Sequence, residues 1–183
     1  MDAVETIVIF TKGTVHGAYI IDLQRRNDER GYFARMWCDK EFGEQGLMAQ
    51  VRQINTGFSH SAGTLRGMHF QRAPHQEVKV VRCLRGAVFD VIVDLRSESP
   101  THRQWMGVDL TAENGRMLYV PEGCAHGYLT LHAGTELMYL TSALYVADAA
   151  SGVRYDDPAF AIAWPGMVNV ISDADRGWAN YFL

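Results

Sequence analysis

The sequence predicts an all-β protein, a sandwich or barrel of many short strands. Runs of β-branched and aromatic residues recur with period-two alternation along most of the chain. Turn signals rich in Gly, Asn, Asp, Ser and Pro separate these runs at close spacing. Only Asp39–Gln45 reads as a helix, and it is short. Short, closely spaced strands with almost no helix are the pattern of sheets packed on each other or closed on themselves.

Thr6–Thr11 and Val15–Asp22 open the strand series, and Asn27-Asp28 turns the chain into Tyr32–Trp37. After the helix comes Met48–Asn55, then the turn Ser61-Ala-Gly63 and the run Thr64–Gln71. Val78–Leu84 and Ala87–Leu95 are joined by Arg85-Gly86, a hairpin-like connection, and Ser97–Pro100 leads into Gln104–Leu110. Glu113-Asn-Gly115 precedes Met117–Val120, Pro121-Glu-Gly123 precedes His126–Leu131, and Ala133-Gly134 precedes Glu136–Tyr145. From about Ala147 the chain is richer in Ala, Asp and Pro and reads as loops with short helical turns that wrap the barrel. No linker divides the chain and no internal repeat stands out. Residues 1–183 are therefore expected to form a single domain, with an N-terminal strand arm and a C-terminal wrapping tail.

The composition is that of an ordinary soluble globular protein, 48% hydrophobic and 21% charged. A formal net charge of −4 argues against a nucleic-acid groove, which would concentrate positive charge. Cys38, Cys83 and Cys124 are three in number, far apart and without a CxxC pair, so neither a disulfide framework nor a zinc site is expected. The N-terminal Met-Asp-Ala-Val-Glu lacks a basic leader, and no apolar run approaches the roughly 18 residues of a membrane span. The expected setting is the cytoplasm, with no membrane partner.

The run Gly63-Thr-Leu-Arg-Gly-Met-His-Phe-Gln71 carries an arginine and a histidine inside a predicted strand. Such a histidine is either a packed core residue or a base aimed into a cavity. Downstream, Gly115-Arg-Met-Leu-Tyr-Val-Pro121-Glu-Gly123-Cys-Ala-His126 has the spacing G-x5-P-x-G-x2-H. This resembles the second motif of the cupin superfamily of small β-barrels, and Gly63, His69, Gln71, His75 and Gly86 echo the first. The resemblance implies a double-stranded β-helix, or jelly roll, with short helices at its periphery. Metal-binding cupins carry His-x-His followed by Glu. Here the second position is Gln71 and Glu77 is misplaced for a third ligand, so no metal is expected.

Four further segments occur in order: Leu65-Arg-Gly-Met-His-Phe-Gln71; Val88-Phe-Asp-Val-Ile-Val-Asp-Leu-Arg96 with Ser99-Pro100; Val120-Pro-Glu-Gly-Cys-Ala-His-Gly-Tyr128; and Val153-Arg-Tyr-Asp-Asp-Pro158 with Trp164-Pro165. Asp28-Glu-Arg30-Gly-Tyr-Phe33, Gln53-Ile-Asn55 and Ser172-Asp-Ala-Asp175 extend the pattern. Together they resemble the dTDP-4-dehydrorhamnose 3,5-epimerase family over nearly the whole chain from Val15. The resemblance implies an isomerase that needs no cofactor. Its substrate would be a nucleotide-diphosphate-linked 4-keto-6-deoxy sugar, whose C–H bonds at C3 and C5 are acidified by the neighbouring carbonyl. Deoxysugar biosynthesis, rhamnose included, would be its setting, and a homodimer its assembly.

By that resemblance His69 is the base, an imidazole whose ordinary pKa of about 6.5 suits proton abstraction. Asp175 is its carboxylate partner, Lys79 opposes the charge that develops on the enolate oxygen, and Tyr139 is the acid on the other face. Arg66 and Arg30 match diphosphate-binding arginines, apt because guanidinium grips phosphate oxygens in pairs. Phe33 matches an aromatic near the nucleobase, on a segment that in the family serves the neighbouring subunit's site. Gln53, Asn55, Gln71, His126 and Tyr145 match substrate-pocket positions. The chain departs from the family pattern at Arg35, Ala174, Cys124 and the stretch from Leu140 to Leu144, around the sugar and base pockets. These departures leave a C3-only epimerase or a different nucleotide sugar as alternatives within the class. A metal-dependent cupin enzyme and a non-catalytic sugar-nucleotide binder are the alternatives outside it.

Overall fold

The computed structural model describes residues 7–181. Thr6 of the first predicted strand and the N-terminal Met1–Glu5 lie outside the described residues. Two antiparallel sheets face each other. The first runs β1 (Val8–Lys12), β2 (Tyr19–Leu23), β10 (Met117–Val120), β7 (Lys79–Arg85), β12 (Thr135–Thr141), β5 (Gln53–Ser59). The second runs β13 (Ala150–Gly152), β6 (Thr64–Gln71), β11 (Cys124–Thr130), β8 (Ala87–Asp94), β9 (Trp105–Thr111), with β14 (Val170–Ile171) parallel to β6. A separate hairpin joins β3 (Arg26–Asp28) to β4 (Gly31–Phe33), and the short helices α1 (Asp39–Glu44) and α2 (Asp173–Arg176) lie at the periphery. Successive strands β7 and β8 belong to different sheets, as do β11 and β12, so the chain crosses between layers in jelly-roll fashion.

The core forms where the inward faces meet. Val81, Cys83, Leu118 and Leu137 of the first sheet pack on Val88, Ile92, Val108 and Leu110 of the second. A second cluster covers the outer face of the first sheet. There α1 buries Phe42 completely, edge-on to Phe10 at 5.0 Å, against Ile21, Val80, Met117 and Tyr119. Truncating a side chain so enclosed costs about 3–5 kcal/mol.

Several predicted boundaries move, each for a local reason. The predicted strand Met48–Asn55 gives way to β5 from Gln53, because Leu47, Ala49 and Val51 cap that outer cluster instead of entering a sheet. Tyr32–Trp37 keeps strand pairing only through Phe33, since Met36 and Trp37 fold onto the same cluster. The predicted Val15–Asp22 begins pairing at Tyr19, after a turn in which Gly13 donates to the Ala18 carbonyl and Ala18 to that of Val15. Glu136–Tyr145 stops at Thr141, where the Ser142 hydroxyl accepts from the Val78 N–H and turns the chain. In the tail, expected as loops and helical turns, two short strands also dock on β6.

Candidate active site

Between the sheets lies a cavity of about 800 Å3, within the range of small-molecule sites. Gln53 and Asn55 reach it from β5, Arg66, His69 and Gln71 from β6, Lys79 from β7, His126 from β11 and Tyr139 from β12, with Tyr145 and Asp175 closing the rim. Sequence spacing alone does not explain why Arg66 and His69 share this wall. Three residues apart on a regular strand, they would point to opposite faces. The pairing of β6 with β11 slips by one residue: His69 opposes His126, whereas Arg66 opposes Tyr128. Gly67 and Met68 together face Gly127, a bulge that turns both functional side chains inward. Gly67 has φ +140, and a Cβ there would sit 2.5 Å from the Gly127 Cα. Glycine is required at that point.

The bulge also brings His69 against Asp175. His69 Nε2 lies 2.7 Å from Asp175 Oδ1, and the backbone N–H of Gly67 donates to Oδ2 at 3.2 Å. Asp175 sits on α2, whose N-cap Ser172 accepts from the Asp175 N–H at 3.0 Å, while β14 leads the chain to this place beside β6. Burial pushes the Asp175 carboxyl upward. The His69 hydrogen bond and charge, with the Gly67 and Ser172 contacts, outweigh it and hold the group below the usual carboxylate range. Nε2 is thus engaged by the carboxylate, and Nδ1 is the nitrogen left to accept a proton. The His69 side chain is 44% exposed, open on its cavity side, with Trp178 edge-on at 6.5 Å behind it.

Lys79 is nearly enclosed. Its Nζ pairs with Glu77 Oε1 at 3.1 Å and donates to the His69 carbonyl at 3.3 Å, so its charge is held beside His69. Tyr139, on the facing sheet, has its phenol pushed upward by burial and by the Glu77 charge against the opposing pull of Arg66. It stays protonated at neutral pH and can donate. Arg66 is exposed and donates to the Phe58 carbonyl at 3.0 Å. Gln53 accepts from the Tyr145 N–H at 2.7 Å. Gln71 lines the cavity, but its amide is directed at the protein rather than at open space.

Two expected binding residues lie elsewhere. Arg30 is paired with Asp28 at 2.5 Å on the β3–β4 hairpin, with a side chain 84% exposed, and Phe33 is 68% exposed on the same hairpin. Neither lines the cavity of its own chain. Of the departures from the family pattern, Arg35 pairs with Glu41 at 2.6 Å, and Ala174 lines the cavity beside Asp175. Burial pushes the Cys124 thiol up to about 12, so it is inert packing. Among the described residues no three His, Cys, Asp or Glu side chains gather closely enough to hold a metal ion.

Sequence reasoning missed four residues of the site. Glu77 anchors Lys79 and could have been read from period two in Glu77-Val-Lys79. Asp90 grips His126 Nε2 at 2.9 and 3.0 Å, and a carboxylate inside the apolar run of β8 is itself a signal, since such a group needs a partner. Tyr128 is buried in the cavity wall with its phenol pushed upward by burial. Trp178 gave no local sign: it reaches His69 only through the tail's path.

The profile of the dTDP-4-dehydrorhamnose 3,5-epimerase family matches residues 12–181. A relative of that name from Methanothermobacter thermautotrophicus is 44% identical over 172 residues, 92% of each chain. The crystal structure of a dTDP-4-dehydrorhamnose 3,5-epimerase from Bacillus anthracis, with TDP and PPi bound, superposes with a TM-score of 0.92 at 38% identity, covering 96% of this chain and 100% of that one. A dTDP-6-deoxy-D-glucose-3,5-epimerase from Legionella pneumophila, in complex with dTDP-4-keto-L-rhamnose, superposes at 0.86 with 35% identity over 92% and 90% of the two chains. Fold and site together define a cupin-type epimerase, an enzyme of the isomerase class. The chain belongs to the dTDP-4-dehydrorhamnose 3,5-epimerase family.

Proposed function

We propose that this enzyme inverts C3 and C5 of dTDP-4-dehydro-6-deoxyglucose by removing a proton α to the keto group and returning one from the opposite side. The observation that carries this reading is the division of labour across the cavity. An imidazole braced at 2.7 Å by a carboxylate stands on one sheet, and a phenol kept protonated stands on the other. His69 Nδ1 takes the proton, and Asp175 stabilises the imidazolium that results. The Lys79 ammonium offsets the negative charge that develops at the C4 oxygen. Tyr139 then protonates the carbon from the other face, and no cofactor is needed for this exchange of protons.

Arg66 grips the diphosphate, and Gln53, Asn55, His126 and Tyr145 line the sugar and ribose region. Arg30 and Phe33 serve the site of a neighbouring subunit. Their exposure on a hairpin remote from their own cavity supports a homodimer. We further propose that residues 1–183 act as one domain, in the cytoplasm. No helix among the described residues is long and apolar enough to cross a membrane.

The test is incubation with dTDP-4-dehydro-6-deoxyglucose in D2O, followed by NMR of the sugar. Deuterium at both C3 and C5 with a doubly inverted product is expected. Label at C3 alone would make the enzyme a mono-epimerase, and no label above background would overturn the reading.

A further inference from the structure

We propose that Gln71 is a positioning residue that ties the rim of the cavity to the lysine at its floor, and not a contact to the sugar. Gln71 is 3% exposed and its amide is fully engaged by the protein. Its Oε1 accepts from the Val146 N–H at 2.7 Å. Its Nε2 donates to the Leu144 carbonyl at 3.1 Å, to Glu77 Oε2 at 2.8 Å and to the His75 carbonyl at 3.0 Å. The amide's orientation follows from chemistry. Val146 N–H can only donate and a carboxylate or carbonyl can only accept, so oxygen must face Val146 and nitrogen the others.

One side chain thus has two arms. The first clamps residues 144–146, just past the end of β12, where Tyr145 sits at the rim with its own N–H held by Gln53. The second holds Glu77, whose other oxygen pairs with Lys79 at 3.1 Å. The rim tyrosine and the floor lysine are set relative to each other through a buried amide on the same strand as His69. Only a side chain that both donates and accepts can fill this place. The inference rests on the roles given above to Lys79 and Tyr145.

Two variants separate the arms. Gln71→Met keeps the volume and removes all four hydrogen bonds, whereas Gln71→Glu keeps an acceptor for Val146 but loses the donors and sets a second carboxylate beside Glu77. In Gln71→Met, amide hydrogen exchange at Val146 should quicken by about tenfold or more while the amides of β8 stay protected. In Gln71→Glu the Val146 amide should remain protected. Both should retain affinity for dTDP alone within about twofold by calorimetry, yet lose on the order of 100-fold in kcat for the keto sugar, the scale of a misplacement near 1 Å. Unchanged Val146 exchange in Gln71→Met overturns the clamp, and unchanged kcat in Gln71→Glu overturns the lysine arm. The exchange measurement uses free protein. It therefore stands even if the keto sugar is not the substrate, a failure that wild-type turnover would reveal separately.

Discussion

Two histidine–carboxylate pairs stand side by side in this barrel. His69 and His126 are directly opposed on neighbouring strands, and each offers Nε2 to an aspartate within 2.9 Å. Their surroundings differ completely. Asp90 is 0% exposed and meets His126 from the adjacent strand β8, with both oxygens in contact and the imidazole almost enclosed. Asp175 comes from a tail helix 106 residues away in sequence, and its histidine is open to the cavity. The same two side chains make an enclosed strut in one place and, on the proposed mechanism, a proton-transfer pair in the other. Both rings border the cavity, and what separates them is how far each is open to it: the His69 side chain is 44% exposed and that of His126 10%.

The comparison breaks most easily at His69, the proposed base. His69→Ala should lower kcat by about 10³-fold or more in steady-state assays at equal folded concentration, the upper range for a positioned acid–base group. Asp175→Asn keeps a hydrogen bond but cannot stabilise an imidazolium. A loss of about 10²-fold or more in kcat is expected in steady-state assays, with KM nearly constant.

His126→Ala inverts the pattern. Removing one partner of a buried pair leaves Asp90 unmatched in the core, and a loss of about 3–5 kcal/mol in unfolding free energy is expected by urea titration. A variant that melts like the wild type would show that the buried pair is no strut.

The smallest effect is in pH. The Asp175 carboxyl is held below the usual range in the folded protein, so its contribution to stability is present above the ordinary carboxylate pKa of about 3.9 and is lost as pH falls through the lower folded value. The melting-temperature gap between wild type and Asp175→Asn should therefore be constant near pH 6 and close progressively below pH 4. A gap that widens on acidification would contradict the assigned direction.

How much of this was legible in the sequence depends on where each contact partner lies. The strands Thr64–Gln71 and Met117–Val120 are found at their expected bounds, because alternation between clear turn signals reports local geometry well. Met48–Val51 has the same alternation and is not a strand, since an apolar strap covering the outside of a sheet gives the same signal as a strand inside one. The resemblance pointed to His69, Lys79, Tyr139 and Asp175, and all four reach one cavity. The bulge that puts Arg66 beside His69 was not legible, because period two assigns them to opposite faces and the slip depends on Gly127 of another strand. Trp178 and the short strands β13 and β14 were hidden for the same reason: their pairing is non-local and their sequences are too brief to carry a period.

The most direct test of the account is solvent-deuterium wash-in at C3 of the bound keto sugar under single-turnover conditions, with His69→Asn compared against His126→Asn at equal folded concentration. The open pair is expected to be the one that moves protons. Wash-in should fall to background in His69→Asn and persist, even if slowed, in His126→Asn. Exchange surviving in His69→Asn while vanishing in His126→Asn would assign the chemistry to the buried pair and contradict the account.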